Sequence, residues 1–214
     1  MKLAVIGGTG DMGYGLALRW AKAGHRVIIG SRALEKAQTA AAAAREATGC
    51  GDIVGMTNED AARACDLAVL AVLSVGHQAT VEALRAILAA KPVLDVTIPL
   101  AFKPLRYAPP AEGSNALQTK AILGENSLVA AGFHTISAAL LTDLTSAITG
   151  DVLIVGDEEP KQAALELAKQ IGLQAFDAGS LLFSPAVEAL TPMLIGMNKR
   201  YGSNHIGVRL TGIG

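Results

Sequence analysis

Short apolar runs alternate with longer amphipathic segments along most of this chain. The first run, Lys2 to Ile6, ends in a glycine-rich turn and leads into helical spacing from Tyr14 to Ala23. Gly24 ends that helix, and the next apolar run completes a strand-helix-strand unit. Strands are predicted in seven further runs, which are Arg26–Gly30, Ile53–Met56, Leu67–Leu73, Val93–Ile98, Leu128–Gly132, Val152–Val155 and Leu173–Asp177.

Segments with helical spacing or helix-start residues follow most of these strands. Helices are predicted over Ser31–Thr48 with Ser31 as the cap, from Asn58, over Val75–Ala89, over Ser137–Thr149, from Asp157 and over Pro185–Tyr201. Parallel neighbouring strands need crossover connections, which are usually helices. The order therefore predicts an α/β fold, namely a Rossmann-type, doubly wound and mostly parallel sheet with a small C-terminal subregion.

One region interrupts the alternation. Residues Leu100 to Leu123 contain Pro104, Pro109 and Pro110, which makes the region too irregular for a long helix, and they exceed most connections in length. We interpret residues 1–150 as an NADP-binding Rossmann domain. Residues 151–214 are interpreted as a C-terminal α/β extension that completes a pocket for a second cofactor.

Composition narrows the range of partners. Of the 214 residues, 51% are hydrophobic and 4% aromatic, and the formal net charge is -1 with no dense Lys/Arg cluster. Nucleic acids and anionic membranes are therefore not expected as partners. No signal peptide is recognised and no uncharged apolar run reaches about 18 residues, so a cytoplasmic protein is predicted. Cys50 and Cys65 form no metal-binding or redox motif.

The glycine-rich turn carries the clearest motif, Gly8-x-Gly10-x-x-Gly13, placed between a strand and a helix. Glycine permits the tight turn and lets backbone N–H groups approach a pyrophosphate at the helix N-terminus. The motif predicts a dinucleotide site, and its candidate binding residues are Gly8, Thr9, Gly10, Asp11 and Met12. The alternative is a glycine-rich turn that binds no ligand.

The end of the second strand indicates which dinucleotide is bound. NAD-specific sites usually place Asp or Glu there, whereas this chain has Gly30-Ser31-Arg32, with Lys36 one turn later. Arg32 and Lys36 are suited to bind a 2′-phosphate, and Ser31 to donate a hydrogen bond to it. We predict NADP(H) as the cofactor. The alternative is a solvated basic helix start.

The carboxyl ends of the other strands supply the remaining candidates, because ligands of open α/β sheets bind in the crevice outside those ends. These candidates are Val72, Leu73, Ile98, Pro99, His134 and Thr135. His134 is interpreted either as a hydrogen-bonding partner of a second ring system, with a catalytic role, or as a structural histidine. For His77, a solvated position is favoured over one that contacts the cofactor. The sequence contains no Ser/His/Asp set, zinc-binding spacing or Walker loop, but hydride transfer between bound cofactors requires none.

The motifs together resemble the NADPH-dependent reductases of the deazaflavin coenzyme F420, over nearly the whole length. The resemblance is carried by Ala4 to Gly13, Gly30-Ser31-Arg32, Glu35-Lys36-Ala37, Asn58 to Ala62, Cys65-Asp66, Phe133-His134-Thr135-Ile136, Asp177-Ala178-Gly179, Glu188-x-Leu190-Thr191-Pro192 and Ile206-Gly207-Val208. It implies NADP contacts from Thr9 to Met12 and from Ser31, Arg32 and Lys36. It also implies that Ile98, Ala138, Ile206 and Gly207 border the nicotinamide and the deazaflavin.

The resemblance implies reversible hydride transfer between NADP(H) and coenzyme F420. Three alternatives stay open from the residues alone: NADPH-dependent reduction of a flavin or metal chelate, reduction of an imine, and a non-catalytic NADP(H)-binding module. The apolar C-terminal helix makes a homodimer an expectation.

Overall fold

The computed structural model describes residues 1–213 and contains ten strands. The strands are β1 Lys2–Ile6, β2 Arg26–Ser31, β3 Ile53–Thr57, β4 Leu67–Leu70, β5 Pro92–Asp95, β6 Leu100–Phe102, β7 Leu105–Tyr107, β8 Leu128–Ala131, β9 Asp151–Gly156 and β10 Gln174–Asp177. The helices are α1 Asp11–Lys22, α2 Leu34–Thr48, α3 Asn58–Ala64, α4 Ser74–Leu88, α5 Asn115–Leu123, α6 Ala138–Thr142, α7 Glu158–Gln170 and α8 Ser184–Tyr201, with a 3₁₀ turn at Leu181–Phe183.

Eight strands form one sheet in the order β10-β9-β8-β5-β4-β1-β2-β3. All neighbours are parallel except β8 and β9. Alternate residues of β1 face opposite sides: Leu3 and Val5 pack with α1, α2 and α7, whereas Ala4 and Ile6 pack with α3, α4 and α5. The sheet is thus buried on both faces, as its near-continuous apolar strands require. The predicted mostly parallel, doubly wound fold is confirmed.

The antiparallel pairing of β9 was not predicted. A parallel neighbour would need a connection that returns to the amino edge of the sheet. Residues 132–150 instead remain at the carboxyl edge, where the Thr135 hydroxyl donates to the Asp151 carbonyl at 2.7 Å. Strand β9 therefore starts where β8 ends and runs back. The next unit, β9-α7-β10, is parallel as expected.

The predicted helix over Ser137–Thr149 is wrong beyond Thr142. Asp143 ends the helix, because its carboxylate accepts hydrogen bonds from the backbone N–H of Thr145 at 3.0 Å and from its hydroxyl at 2.6 Å. Such a local side-chain bond competes with helical hydrogen bonding. The segment after Asp143 is irregular as a result.

The region Leu100–Leu123 is less irregular than its prolines suggested. It holds the antiparallel pair β6 and β7, followed by the nine-residue helix α5. Ser114 caps α5 by accepting a hydrogen bond from the Leu117 N–H at 3.0 Å. Four polar residues of α5 or its cap are buried, so the helix has no simple polar face that would reveal it in the sequence.

The segment Leu181–Tyr201 is long and apolar enough, by length and composition, to cross a membrane. Its Glu188, however, is 0% exposed and accepts hydrogen bonds from the N–H groups of Asn115 and Ala116. A buried carboxylate tied to a neighbouring helix N-terminus is a feature of a helix packed within a folded domain. Length and composition alone do not distinguish a membrane-spanning helix from a helix packed within a folded domain.

Candidate functional site

Glycines make the turn after β1 compact. The Gly8 N–H donates to the carbonyls of Val5 and Gly30, each at 3.0 Å. A Cβ on Gly8 would lie 2.8 Å from the Val5 carbonyl oxygen, and a Cβ on Gly13 would lie 3.0 Å from the Cβ of Ala71. Only glycine therefore allows α1 to pack this closely on the strands.

Gly10 differs from these packing glycines. A Cβ placed on Gly10 would meet only the Gly7 carbonyl, at 3.7 Å, so its outer face is open. Gly10 is the N-cap of α1 and no side chain caps the helix. The first N–H groups of a helix lack intrahelical acceptors, and they favour an anion. Thr9, Gly10 and Asp11 are exposed and Met12 is half-buried. This open, uncapped cradle fits a pyrophosphate.

A groove of about 420 Å³ lies beside the cradle. Its lining includes Ser31, Arg32, Asn58, Gly76 and Thr80. Arg32 is exposed at its rim, and Lys36 is exposed on α2 one turn further along the chain. The groove and its basic rim fit the adenosine half of a dinucleotide with a 2′-phosphate.

The predicted capping role of Ser31 is wrong. Ser31 is the last residue of β2, and α2 begins only at Leu34. Its hydroxyl instead accepts a hydrogen bond from the Ala33 N–H at 3.3 Å, because the turn adds two residues before the helix. The hydroxyl still lies on the groove.

Asn58 lines the groove, whereas the sequence predicted it as a helix start and as part of the resemblance but not as a binding residue. Its side-chain oxygen accepts a hydrogen bond from the Gly7 N–H at 3.2 Å, across 51 residues. The same oxygen lies 2.8 Å from where a Cβ on Gly30 would be. Asn58 thus joins the turn after β1 to the end of β2, and an amide side chain directly after a strand was the available signal.

The strand ends next to β1 bring the other candidates together. The Val96 N–H donates to the Leu70 carbonyl at 3.0 Å, and the Gly132 N–H to the Asp95 carbonyl at 3.3 Å. The segments after β4, β5 and β8 are therefore adjacent. They contain Val72 and Leu73, Ile98 and Pro99, and His134 and Thr135.

The C-terminal tail closes the far side of this crevice. The Asp151 N–H donates to the Val208 carbonyl at 2.9 Å, and the Ser137 hydroxyl donates to the Asn204 carbonyl at 2.6 Å. A Cβ on Gly207 would lie 3.2 Å from the Thr135 carbonyl. Ile206 and Gly207 therefore lie beside the segment that contains Ala138.

His134 is the most unusual residue in the crevice. Its side chain is 3% exposed, and neither ring nitrogen has a hydrogen-bond partner in the described part of the chain. Burial lowers the pKa of His134 to about 4, although the charge of Asp95 and the Thr97 backbone oppose the shift. The ring is thus neutral near pH 7, with one N–H donor and one acceptor that are both buried and without a partner among the described residues.

Thr135 is placed differently from His134. Its hydroxyl donates its proton to the Asp151 carbonyl, so it can no longer donate to a ligand. Leu73, by contrast, is 80% exposed at the start of α4.

The expectation that His77 is solvated is wrong. Its side chain is 1% exposed, with Nε2 at 3.0 Å from an Asp95 carboxylate oxygen and Nδ1 at 3.1 Å from the Gln118 side-chain oxygen. Gln118 donates its amide nitrogen to Glu112, so both ring nitrogens of His77 face acceptors and must donate. Burial lowers the pKa of His77, but Asp95 and Gln118 raise it above its usual value overall. The two acceptors and the raised pKa favour the imidazolium form of this buried ring.

Asp95 continues this set of contacts toward the crevice. One carboxylate oxygen accepts hydrogen bonds from the Thr97 N–H at 2.9 Å and its hydroxyl at 2.5 Å. The Asn115 amide donates to the Thr97 hydroxyl oxygen at 2.9 Å. We call the group His77, Asp95, Thr97, Asn115, Gln118, Thr119 and Glu188 the polar network.

Glu188 is the far end of the polar network. It accepts the N–H groups of Asn115 at 3.0 Å and Ala116 at 3.1 Å, and the hydroxyl of Tyr107 at 3.3 Å. Burial and the charge of Asp95 raise its pKa to about 8, although the N–H donors and Tyr107 lower it. No group of three His, Cys, Asp or Glu side chains within residues 1–213 is arranged to hold a metal ion.

The chain is similar to known proteins along its whole length. The family profile described as NADP oxidoreductase coenzyme F420-dependent matches residues 2–99. The F420-dependent NADP reductase of Methanocaldococcus jannaschii is 41% identical, and the alignment covers 100% of this chain and 99% of that protein. That of Methanothermobacter thermautotrophicus is 40% identical, with 100% and 96% covered. This chain belongs to the F420-dependent NADP reductase family.

Solved structures agree with this assignment. The crystal structure of an Arthrobacter sp. FB24 protein described as an F420-dependent NADP reductase superposes with a TM-score of 0.83 at 26% identity, covering 99% of this chain and 100% of that one. The imine reductase of Streptomyces aurantiacus superposes at 0.62 with 18% identity, covering 94% of this chain and 62% of that one. The second match shows the fold alone. The F420-dependent NADP reductase family therefore has a fold shared with longer reductases.

Proposed function

We propose that this chain catalyses reversible hydride transfer between NADP(H) and coenzyme F420. The observation that carries the proposal is that an open phosphate cradle and a crevice with a neutral, unpaired His134 lie on one sheet edge of a chain that belongs to this family. When bound, NADPH supplies a hydride and F420 accepts it together with a proton, and both steps reverse. The protein itself mainly binds and orients.

On the NADP side, the binding residues are backbone groups and cations. Gly8, Thr9, Gly10, Asp11 and Met12 surround the pyrophosphate with the uncapped N–H groups of α1. Arg32 and Lys36 neutralise the 2′-phosphate and Ser31 donates to it, with Arg32 best suited because its planar fork matches phosphate oxygens. The groove lined by Asn58, Gly76 and Thr80 receives the adenosine.

On the deazaflavin side, the wall is mostly apolar. Val72, Leu73, Ile98, Pro99, Thr135, Ala138, Ile206 and Gly207 border the two rings. The small or apolar groups let the rings approach and exclude water. The neutral His134 donates a hydrogen bond to the deazaflavin, which removes the free-energy cost of about 1–3 kcal/mol that an unpaired buried polar group carries.

The proposal extends to the arrangement of the whole protein. Residues 1–150 would hold NADP(H), and residues 151–214 would complete the deazaflavin pocket through β9 and the tail. The exposed Met193 and Tyr201 on α8 support a homodimer. The net charge and the absence of a basic cluster support a cytoplasmic enzyme with small-molecule partners and neither membrane nor nucleic acid.

Anaerobic stopped-flow kinetics test the proposed reaction. The enzyme is mixed with NADPH and one acceptor at a time: coenzyme F420, a free flavin, a ferric chelate or a cyclic imine. We expect rapid NADPH oxidation with F420 only, and the reverse reaction with reduced F420 and NADP⁺. Faster oxidation with another acceptor would mean that this acceptor, not F420, is the hydride partner. Tight NADPH binding with no oxidation by any acceptor would indicate a binding module.

A His134→Ala variant tests the role of the histidine. We expect weaker F420 binding and slower hydride transfer with unchanged NADPH affinity. If binding and turnover both stay intact, His134 has only a structural position.

A further inference from the structure

Arg19 lies on α1, the helix whose N-terminus forms the phosphate cradle, and its side chain reaches a distant segment. Its Nε donates to the Leu141 carbonyl at 3.0 Å, and one terminal nitrogen donates to the Leu140 carbonyl at 2.8 Å and the Ser146 carbonyl at 3.2 Å. The same nitrogen also contacts the Asp143 carbonyl. One guanidinium thus binds four backbone carbonyls more than 120 residues away.

These carbonyls need an external donor. The last carbonyls of any helix have no intrahelical partner, and α6 has only five residues before the irregular segment begins. A cation at a helix C-terminus also interacts favourably with the helix dipole. The planar fork of arginine reaches several acceptors at once, which a lysine ammonium does not reproduce.

Gly15 supports the same contact from one turn earlier. A Cβ on Gly15 would lie 2.6 Å from the Cβ of Leu141. Residues four apart share one face of a helix, so Gly15 and Arg19 form a continuous surface on α1. We call this surface the α6 seat.

The segment 138–146, held by the α6 seat, begins at the crevice. Ala138 begins α6, and the Ser137 hydroxyl before it binds the C-terminal tail through Asn204. The Asp143 carboxylate accepts hydrogen bonds from Thr145 and forms no salt bridge with Arg19 in the described residues. Burial lowers the pKa of Arg19, and the charge of Asp143 acts on the guanidinium against that shift. Every hydrogen bond of the guanidinium goes to a backbone carbonyl of residues 140–146, so we expect removal of Arg19 to loosen the segment that begins at Ala138.

We propose that Arg19 is a positioning residue for hydride transfer: it ties the crevice wall formed by residues 138–146 to the phosphate-binding helix. The proposal rests on the proposed function, because the wall matters only if a second ring binds there. NADPH and its acceptor would then be held by one connected unit, since α1 contributes to both sites. Small misplacement of reacting groups costs up to about a hundredfold in rate.

The test compares Arg19→Met and Arg19→Lys with Arg45→Met as a matched control. Arg45 is also a helical arginine that donates to a backbone carbonyl, that of Ile53 at 2.6 Å, but on α2 away from the crevice. NADPH affinity is measured by fluorescence titration and hydride transfer by single-turnover stopped flow with F420. Hydrogen exchange of residues 138–149 is measured on the same proteins.

For Arg19→Met we expect single-turnover hydride transfer to fall about tenfold or more, F420 to bind more weakly, and exchange to rise over 138–149. The NADPH affinity of Arg19→Met should stay within about threefold of wild type. The rate of hydride transfer in Arg19→Lys should lie between the rates of Arg19→Met and wild type. Arg45→Met should match wild type. Unchanged transfer in Arg19→Met, or an equal loss of NADPH affinity and transfer in both Arg19 variants, would overturn the proposal.

The experiment distinguishes failure of the proposed function from failure of the proposed role of Arg19. If wild type does not oxidise NADPH with F420, the proposed function fails whatever the variants do. If wild type reacts and Arg19→Met reacts equally well, only the role of Arg19 fails.

Discussion

The phosphate-binding turn and the polar network are built in opposite ways. The turn consists of backbone groups of consecutive residues, Gly7 to Gly13, and its open face results from a missing side chain at Gly10. The network consists of side chains joined across 18 residues between His77 and Asp95, and across 73 residues between Asn115 and Glu188. We therefore expect substitutions in the turn to change ligand affinity and substitutions in the network to change the relative placement of loops.

The largest effect is expected from breaking the network. Asp95→Asn leaves His77 as a buried charge without its counterion, which costs about 3–5 kcal/mol of unfolding free energy. Urea unfolding measures the loss. The double variant His77→Gln/Asp95→Asn removes both charges and should recover part of it.

Glu59→Gln is the control for this prediction. Glu59 pairs with Arg63, but both side chains are 61% exposed, so the change should be under about 1 kcal/mol. Equal effects of the Asp95 and Glu59 variants would contradict the importance of burial in the network.

Gly10→Ala tests the turn alone. Gly10 has φ −86° and ψ 159°, which alanine adopts easily, and a Cβ there meets no protein atom closer than 3.7 Å. The variant should fold with wild-type stability yet bind NADPH about thirtyfold more weakly, because the methyl group occupies the phosphate approach. Titration calorimetry and thermal unfolding measure the two quantities.

Gly196→Ala, in α8 and with no atom within 4 Å of its Cβ, is the matched control. It should leave NADPH affinity unchanged. Wild-type affinity in Gly10→Ala would mean that the pyrophosphate does not approach this turn.

Arg32→Gln tests cofactor choice on the same side. A charge-assisted hydrogen bond contributes about 1.5–3 kcal/mol, and the exposure of Arg32 reduces this, so we expect about a tenfold loss of NADPH affinity. NADH affinity should stay the same, because NADH lacks the 2′-phosphate. Parallel titrations with the two nucleotides measure the ratio of NADPH affinity to NADH affinity. An unchanged ratio in Arg32→Gln would mean that other residues select for the 2′-phosphate.

The last effect is the pH dependence contributed by Glu188. Its pKa in the folded state, about 8, lies above its ordinary value of 4.5, so the folded protein holds a proton that the unfolded chain loses. Stability should therefore fall as pH rises from about 5 to about 8, by at most about 1.4 kcal/mol per pH unit.

Glu188→Gln should flatten this slope, measured by urea unfolding across the same range. The raised pKa of His77 adds a decline in stability above its unfolded pKa, so His77→Gln separates the two contributions. An unchanged slope in Glu188→Gln would mean that the carboxyl group is ionised in the folded protein throughout.

Hydrogen-bond partners distant along the chain explain what sequence reasoning missed. The interpretation of His77 as solvated failed because Asp95, Gln118 and Thr119 come from another strand and another helix. The helix after Ser137 was overextended because a local pattern does not show that Asp143 binds Thr145. The role of Arg19 depends on carbonyls more than 120 residues away.

The sequence by itself determined the features built from residues close together along the chain. These are the first strand, glycine turn and helix, the basic residues after β2, and the alternation of strands and helices that makes a doubly wound sheet. These follow from backbone sterics and from the period of apolar residues, which act over a few positions. Only the tertiary structure decided the reversed strand β9, the burial of His77 and the docking of α6 on α1. Buried polar groups must find partners wherever the fold brings them, and a linear pattern does not contain those distances.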